Sequence, residues 1–279
     1  MNDKIEDFKK TSEFLVCVDS DGCAMDTMEV KHRKCFGPKI VEIWNLQNVE
    51  ERFLEIWNDV NLYTKTRGIN RFKGLVMTLE LLEAEGVKIP NISSIKKWTE
   101  TTNELSNPSL QREIDRTNDE QLRKALEWSL AVNKAITELS DDDKPFVGVE
   151  EGLKTANTAT DVAIVSSANG AAVLDEWTRH NLAPHVSVML GQEAGTKAYC
   201  IEELKKFGYE NTHVLMVGDA PGDLEAAGKN GVFYYPILVG KEAFSWRRFK
   251  NEALGKFIDG TFTGEYQQQL INEFNDNLR

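Results

Sequence analysis

Four short apolar runs, each followed by a segment with helical spacing, constrain the fold of this chain more than any other feature. They are residues 14–18, 162–165, 186–190 and 214–217, and a fifth run, 232–239, contains Pro236, which places it at a sheet edge or a strand end. Strands rich in Val and Ile without polar alternation are buried on both faces. The sequence therefore predicts an α/β fold with a doubly wound parallel sheet.

The middle of the chain lacks such runs and carries only helical patterns. Apolar residues recur three and four positions apart in three sets, and Asp119 is predicted to cap the helix that carries the last set. The segment Asp141-Asp142-Asp143-Lys144-Pro145 then reads as a solvated turn. We therefore predict an all-helical insertion over residues 27–145, between a first core part, 1–26, and a second core part, 146–279.

Polar residues that can do chemistry lie at or just after the predicted strand ends. Ligands of parallel sheets bind beyond the carboxyl ends of the strands, so we expect these residues to share one crevice. Asp19 and Asp21 are two residues apart, so in an extended chain their side chains point the same way, and Gly22 lets the backbone turn after them. The groups are Asp19-Ser20-Asp21-Gly22, Ser166-Ser167-Ala168-Asn169, Lys197 and Gly218-Asp219-Ala220-Pro221-Gly222-Asp223.

Convergence of these strand ends would bring up to four carboxylates together, those of Asp19, Asp21, Asp219 and Asp223. Two like charges at 4 Å repel by roughly 4 kcal/mol at an effective dielectric near 20. One lysine does not neutralise such a cluster, so either some carboxylates are protonated or a divalent cation lies among them. Hard oxygen ligands without His or Cys favour Mg²⁺ over zinc. A metal on few carboxylates suits phosphoryl transfer, in which one carboxylate attacks phosphorus and a second acts as acid and base.

In this order on strand ends, these residues resemble the four motifs of the haloacid dehalogenase-like hydrolases. The resemblance rests on Asp19-x-Asp21-Gly22, Ser166, Lys197 and Gly218-Asp219-x-x-x-Asp223. It covers about residues 12–26 and 146–240, and it implies a Rossmann-like core. The helical insertion falls where that family carries a C1-type cap.

The resemblance also implies roles for the residues that would act on a phosphoryl group. Asp19 would be the nucleophile, and Asp21 would be the general acid and base. Ser166 and Lys197 would bind the phosphoryl group.

A Mg²⁺ ion is the cofactor that the resemblance implies. Asp19 and Asp219 would be ligands through their carboxylates, and Asp21 through its backbone carbonyl. Asp223 would assist directly or through a water.

The second aspartate narrows the expected reaction, because family members that cleave carbon–halogen bonds or the carbon–phosphorus bond of phosphonoacetaldehyde lack Asp there. Asp21 points instead to phosphate-ester hydrolysis or phosphosugar mutation. Two residues depart from the family pattern: Cys23 stands where Thr or Val is usual, and Ser20 replaces a bulky apolar residue. Neither change removes a catalytic group.

Four further residues are candidates for substrate binding. Ser167 competes with Ser166 for the phosphoryl role, whereas the sequence favours a helix cap or turn residue over a ligand for Asn169. Arg67 and Arg71 lie in residues 65–74, a basic segment of an acidic chain, and Arg binds oxyanions bidentately. The alternative for this segment is a solvated connection between helices.

Composition excludes several classes of partner. The 33 Lys and Arg against 45 Asp and Glu give a net charge of -12, which argues against a nucleic-acid partner. No apolar run approaches the ~18 residues of a spanning helix, and no apolar segment of a signal peptide follows the first ten residues, so no membrane partner is expected. The four cysteines show no metal-site or disulfide spacing, and we interpret them as free thiols in a reducing cytoplasm.

The sequence therefore predicts a cytoplasmic, Mg²⁺-dependent phosphatase that hydrolyses a small phosphorylated metabolite through an aspartyl-phosphate. The nearest alternative is a phosphosugar mutase of the β-phosphoglucomutase type, which returns the phosphoryl group to the sugar. A phospho-accepting signalling module and a non-catalytic binding protein on the same scaffold are alternatives from other classes. The Asp19 and Asp21 spacing and the late GDxxxD motif argue against the signalling module.

Overall fold

Two compact units make up the chain in the computed structural model, which describes residues 4–139 and 143–279. One unit comprises residues 1–28 and 143–279, and we call it the core unit; the other comprises residues 29–142, and we call it the helical unit. Asp141 and Asp142 of the predicted acidic turn lie outside the described residues.

A five-stranded sheet forms the centre of the core unit, and all its strand pairs are parallel. The strand order is β3-β2-β1-β4-β5, which confirms the predicted α/β fold with a parallel sheet. The strands are β1 Leu15–Val18, β2 Asp161–Val165, β3 Val188–Leu190, β4 Val214–Gly218 and β5 Phe233–Pro236. As predicted, the strand that contains Pro236 is an edge strand and ends at this residue.

Helices make up most of the remaining described chain. The α-helices are α1 Met28–Lys31, α2 Gly37–Trp44, α3 Glu50–Asn58, α4 Arg71–Ala84, α5 Ser93–Thr101, α6 Asn107–Thr117, α7 Glu120–Thr137, α8 Val149–Asn157, α9 Gly170–Arg179, α10 Lys197–Lys205, α11 Pro221–Asn230, α12 Glu242–Arg248, α13 Leu254–Ile258 and α14 Glu265–Asn277. Single π turns follow α1, α3 and α12 at His32–Phe36, Asp59–Tyr63 and Phe249–Ala253. Short 3₁₀ turns lie at Ile5–Asp7, Gln47–Val49, Ala183–His185, Gln192–Ala194 and Asn211–His213.

The sheet is buried on both faces, as its sequence predicts. Along β1, Val16 and Val18 belong to one apolar cluster, whereas Leu15 and Cys17 belong to another. This division follows from the alternation of side chains along a strand, and both sets are fully buried. The sheet is therefore a fixed platform for the loops that leave its carboxyl edge.

The register places the ends of three central strands level with one another. Val18 at the end of β1 pairs with Ile164 of β2 and with Val217 of β4. The next residue, Asp19, donates its N–H to the carbonyl of Val217 at 3.0 Å. The residues that follow β1, β2 and β4 therefore leave the sheet at one edge.

The helical unit has its own apolar core, built around aromatic side chains. Trp57 and Trp128 are fully buried and meet edge to face, with ring centroids 6.1 Å apart. Asp119 caps α7 as predicted, because its carboxylate accepts the N–H groups of Gln121 and Leu122 at 2.8 and 3.1 Å. Every α-helix from α2 to α7 lies in this unit.

Across the described parts of the chain, every helix is too short or too polar to cross a bilayer.

Candidate active site

The loop after β1 presents two aspartates in a tight turn. The carbonyl of Ser20 accepts N–H groups from three residues further along, with N···O distances of 2.8–3.3 Å, and these residues are Cys23, Ala24 and Met25. Gly22 adopts a φ of 81°, a conformation that favours glycine. The loop therefore closes on itself directly after the strand, and it leaves Asp19 buried with 5 % of its surface exposed.

Lys197 connects two of the predicted site carboxylates. It is the first residue of α10, and Thr196 caps that helix by accepting the N–H of Tyr199. The Lys197 Nζ lies 2.6 Å from Asp19 Oδ2 and 2.5 Å from Asp223 Oδ1. The loop before α10 and the loop after β1 thus bring an ammonium group to the end of the central strand.

Asp223 is held by the loop that contains it. Its Oδ2 accepts the N–H groups of Asp219 and Ala220 at 3.1 and 3.0 Å, at the start of α11. Because Oδ1 pairs with Lys197, both oxygens of this fully buried carboxylate have partners. Asp223 therefore fixes the backbone of Asp219 relative to Lys197.

The position of the Asp223 side chain leaves no room for a Cβ at Gly218. A Cβ there would lie 2.3 Å from the Cγ and from the Oδ2 of Asp223, well inside van der Waals contact. Glycine is required at this position by close packing rather than by backbone conformation.

We expect Gly218→Ala to destabilise the protein by about 1–3 kcal/mol and to lower turnover, because Asp223 must move to admit the methyl group. Gly228→Ala is the matched control on α11, since a Cβ there meets nothing within 4 Å. Thermal unfolding of both variants checks the expectation. Equal unfolding temperatures for the two variants would contradict it.

The electrostatics of the cluster favour a bound cation. Burial raises the pKa of Asp19 well above its usual value; Lys197 lowers this pKa, and the carboxylates of Asp223 and Asp219 raise it further. Burial also lowers the pKa of Lys197, but Asp19 and Asp223 outweigh this effect, and the pKa of Lys197 lies above its usual value. One ammonium group thus faces three carboxylates.

The donor set fits Mg²⁺. One carboxylate oxygen from each of Asp19, Asp219 and Asp223 lies within 4.8 Å of the others, and all three residues are buried. Hard carboxylate oxygens are the ligands that Mg²⁺ takes in phosphoryl-transfer sites. Asp19, Asp219 and Asp223 are therefore the candidate ligands.

Asp21 is oriented separately from this cluster. Its Oδ1 accepts a hydrogen bond from the hydroxyl of the buried Thr27 at 2.6 Å. Sequence reasoning missed Thr27, whose only signal is a hydroxyl side chain close after the DxDG motif. Thr27 holds the Asp21 carboxylate in one orientation at the partly exposed end of the loop.

Ser166 and its neighbours lie at the adjacent strand end. Ser166 directly follows β2; it is buried, and its hydroxyl oxygen accepts the N–H of Ala168 at 3.1 Å, which leaves the O–H available to donate. Ser167 is exposed. Asn169 caps α9, in agreement with its interpretation as a helix cap. Its side-chain amide also donates to Glu193.

Arg67 and Arg71 lie in the helical unit, where each donates to neutral oxygens. Arg67 is buried, and its Nη1 donates to the carbonyl of Leu62 at 2.6 Å. Arg71 donates to the hydroxyl of Ser129 at 3.0 Å and to the side chain of Asn133 at 2.8 Å. A substrate role for either arginine stays a prediction.

A parallel sheet that carries buried carboxylates and a lysine beyond the carboxyl ends of its strands is typical of α/β enzymes. The family model of the haloacid dehalogenase-like hydrolases matches residues 93–235, just over half of the chain. The chain therefore belongs to this family of hydrolases.

Solved structures resemble this fold at low sequence identity. A hydrolase from Pseudomonas syringae matches with a TM-score of 0.50 and 14% identity, over 85% of this chain and 90% of its own. A predicted phosphoglycolate phosphatase from Haemophilus somnus matches with a TM-score of 0.53 and 14% identity, over 81% of this chain and 86% of its own. A search of curated proteins gave no significant match.

Proposed function

We propose that this hydrolase is a Mg²⁺-dependent phosphatase of a small phosphorylated metabolite and that it works through an aspartyl-phosphate on Asp19. The observation that carries the proposal is the Lys197 ammonium between Asp19 and Asp223, with Asp219 beside them, at the end of the central strand. This cluster has both a carboxylate that can attack and a cation that can hold phosphoryl oxygens. Asp21, the residue after Ser20, adds a further carboxyl group that can transfer protons.

The first half-reaction transfers the phosphoryl group to the protein. An oxygen of Asp19 attacks phosphorus, and the bond between phosphorus and the ester oxygen breaks. Asp21 gives its proton to the departing alcohol oxygen, which leaves as the neutral alcohol. The hydrogen bond from Thr27 orients the Asp21 carboxyl group for this transfer.

The second half-reaction regenerates the free enzyme. Asp21, now a carboxylate, takes a proton from a water molecule whose oxygen attacks the phosphorus of the aspartyl-phosphate. The bond between the Asp19 oxygen and phosphorus breaks, which releases inorganic phosphate. Lys197 and the hydroxyl of Ser166 donate hydrogen bonds to the phosphoryl oxygens in both steps.

Asp19 and Asp219 would hold the Mg²⁺ ion, supported by Asp223. When bound, the ion neutralises negative charge on the carboxylates and on the phosphoryl oxygens. Desolvation makes this neutralisation effective, because the three carboxylates are almost fully buried.

We expect phosphate release from at least one member of a panel of small phosphate esters, and we expect EDTA to abolish it and added Mg²⁺ to restore it. The panel should include phosphorylated short-chain acids, sugar phosphates and nucleoside monophosphates. Phosphate release and conversion of the ester are both measured. Conversion to an isomeric sugar phosphate without phosphate release would replace the phosphatase with a mutase, and release that is equal in EDTA would contradict the metal dependence.

A further inference from the structure

Ser20, the residue between the two proposed catalytic aspartates, accepts a hydrogen bond from a buried tryptophan. The indole N–H of Trp177 donates to the hydroxyl of Ser20 at 2.9 Å, and both side chains are fully buried. We propose that this hydrogen bond makes Ser20 a positioning residue, which fixes Asp19 and Asp21 for the chemical step. The inference rests on the proposed function for its catalytic consequence, whereas the anchoring of the loop stands on geometry alone.

Ser20 takes part in the loop through each of its polar groups. Its N–H donates to Asp19 Oδ1 at 2.7 Å, opposite the oxygen that pairs with Lys197. Its carbonyl accepts the three N–H groups that close the turn. Its hydroxyl accepts from Trp177 and is the only one of these groups that joins the loop to a distant part of the chain. A rotation of this residue would move the Asp19 carboxylate and the Asp21 backbone together.

Trp177 is well placed to act as a fixed anchor. It lies on α9, the helix that follows the Ser166 loop, so one hydrogen bond joins the segments after β1 and β2. The indole is packed in the same apolar cluster as Val18 and Met25, on either side of the loop in the sequence. A buried N–H without an acceptor is costly, so the indole holds the Ser20 hydroxyl in one position.

This contact explains why a small polar residue stands at position 20. A bulky apolar side chain there could pack against the indole, but it would leave the indole N–H without its acceptor. Alanine at position 20 keeps every backbone hydrogen bond of the loop and removes only the anchor. The substitution therefore separates anchoring from the rest of the loop.

The test uses three variants: Ser20→Ala, Trp177→Phe and the double variant that combines these two changes. Tyr209→Phe is the matched control. Tyr209 is also buried in the core unit, and its hydroxyl donates to Asp161, the first residue of β2 at the opposite end of the strand from the site. The measurements are kcat and KM for the best phosphate ester, and deuterium uptake of residues 19–25 in the same Mg²⁺-containing buffer.

We expect Ser20→Ala to lower kcat about tenfold, to change KM by less than about twofold, and to raise deuterium uptake in residues 19–25. The double variant should lose no more kcat than the more impaired single variant, because both changes break the same bond. Tyr209→Phe should leave kcat and the uptake of this segment unchanged. A Ser20→Ala protein that matches Tyr209→Phe in kcat overturns the positioning role, whatever its deuterium uptake.

Failure of the proposed function gives a different result. If the wild-type protein releases no phosphate from any ester, the phosphatase proposal fails, and deuterium uptake alone decides the anchoring. Higher uptake in Ser20→Ala and in Trp177→Phe then supports the anchor, and unchanged uptake in both overturns it.

Discussion

Replacing Asp19 with Asn lowers kcat by at least about 10⁴-fold while the protein stays folded, if Asp19 is the nucleophile. The amide keeps the size of the side chain but attacks phosphorus far more weakly than a carboxylate. The N–H of Ser20 and the Lys197 ammonium donate to different Asp19 oxygens, at 2.7 and 2.6 Å, so the single amide oxygen of Asn keeps one of these hydrogen bonds and its NH2 group loses the other. The change also removes one of three clustered carboxylates, which relieves repulsion between like charges, so we expect the variant to stay folded.

Steady-state phosphate release and thermal unfolding, measured on the same preparation, check this expectation. Asp26→Asn is the matched control, because Asp26 lies in the same segment and its partly exposed carboxylate lies 3.6 Å from the Nζ of the exposed Lys144. Asp26→Asn should keep kcat within about twofold, since such exposed pairs contribute little. Normal turnover by Asp19→Asn would remove Asp19 from the nucleophile role.

The second large effect is expected for Lys197→Met, which removes the only lysine of the cluster. The change leaves Asp19 and Asp223 buried without their ammonium partner. Breaking a buried ion pair in this way costs about 3–5 kcal/mol. The loss of a cation that holds the phosphoryl group should also lower kcat by at least about 10²-fold.

Lys197→Met also provides a test of the metal site that does not depend on activity. A divalent ion among the carboxylates would replace part of the missing positive charge, so the loss of stability should be smaller in Mg²⁺ than in EDTA. Lys206→Met is the control, because Lys206 is an exposed residue that follows the same helix and pairs with Glu203. A Lys197→Met protein as stable as Lys206→Met in EDTA would contradict the electrostatic account of the cluster.

The sheet could be predicted from the sequence because each strand is short, apolar and buried on both faces. Residues 14–18 and 214–217 correspond closely to β1 and β4, which occupy the middle of the sheet. The predicted third strand, 186–190, begins later, at Val188, two residues after a 3₁₀ turn at Ala183–His185. The apolar run therefore predicted where this strand lies but not its first residue.

The sequence order also placed the four site motifs at strand ends, because a parallel sheet brings the carboxyl ends of its strands to one edge. It did not predict which carboxylates meet Lys197. Two of them, Asp19 and Asp223, pair directly with its ammonium group, whereas Asp21 accepts from Thr27. These distinctions depend on side-chain directions in loops, which spacing along the chain does not encode.

Contacts between distant segments account for what sequence reasoning missed. Ser20 appeared only as a departure from a family pattern, and its partner Trp177 lies 157 residues away. Gly218 is visible in the sequence only as the first residue of the GDxxxD motif, whereas its close approach to Asp223 depends on how the loop packs. Such constraints arise only when the packed loops are considered together.

The central claim is that Asp19 carries the phosphoryl group during turnover. The most direct test is to quench the enzyme with acid during turnover of its best substrate, reduce it with borohydride, and map the product by mass spectrometry. An aspartyl-phosphate at Asp19 would be reduced to homoserine at that position. Homoserine at residue 19, formed only in the presence of substrate, is the predicted result. Homoserine at Asp21, Asp219 or Asp223 instead, or at no aspartate while phosphate is released, would contradict the account.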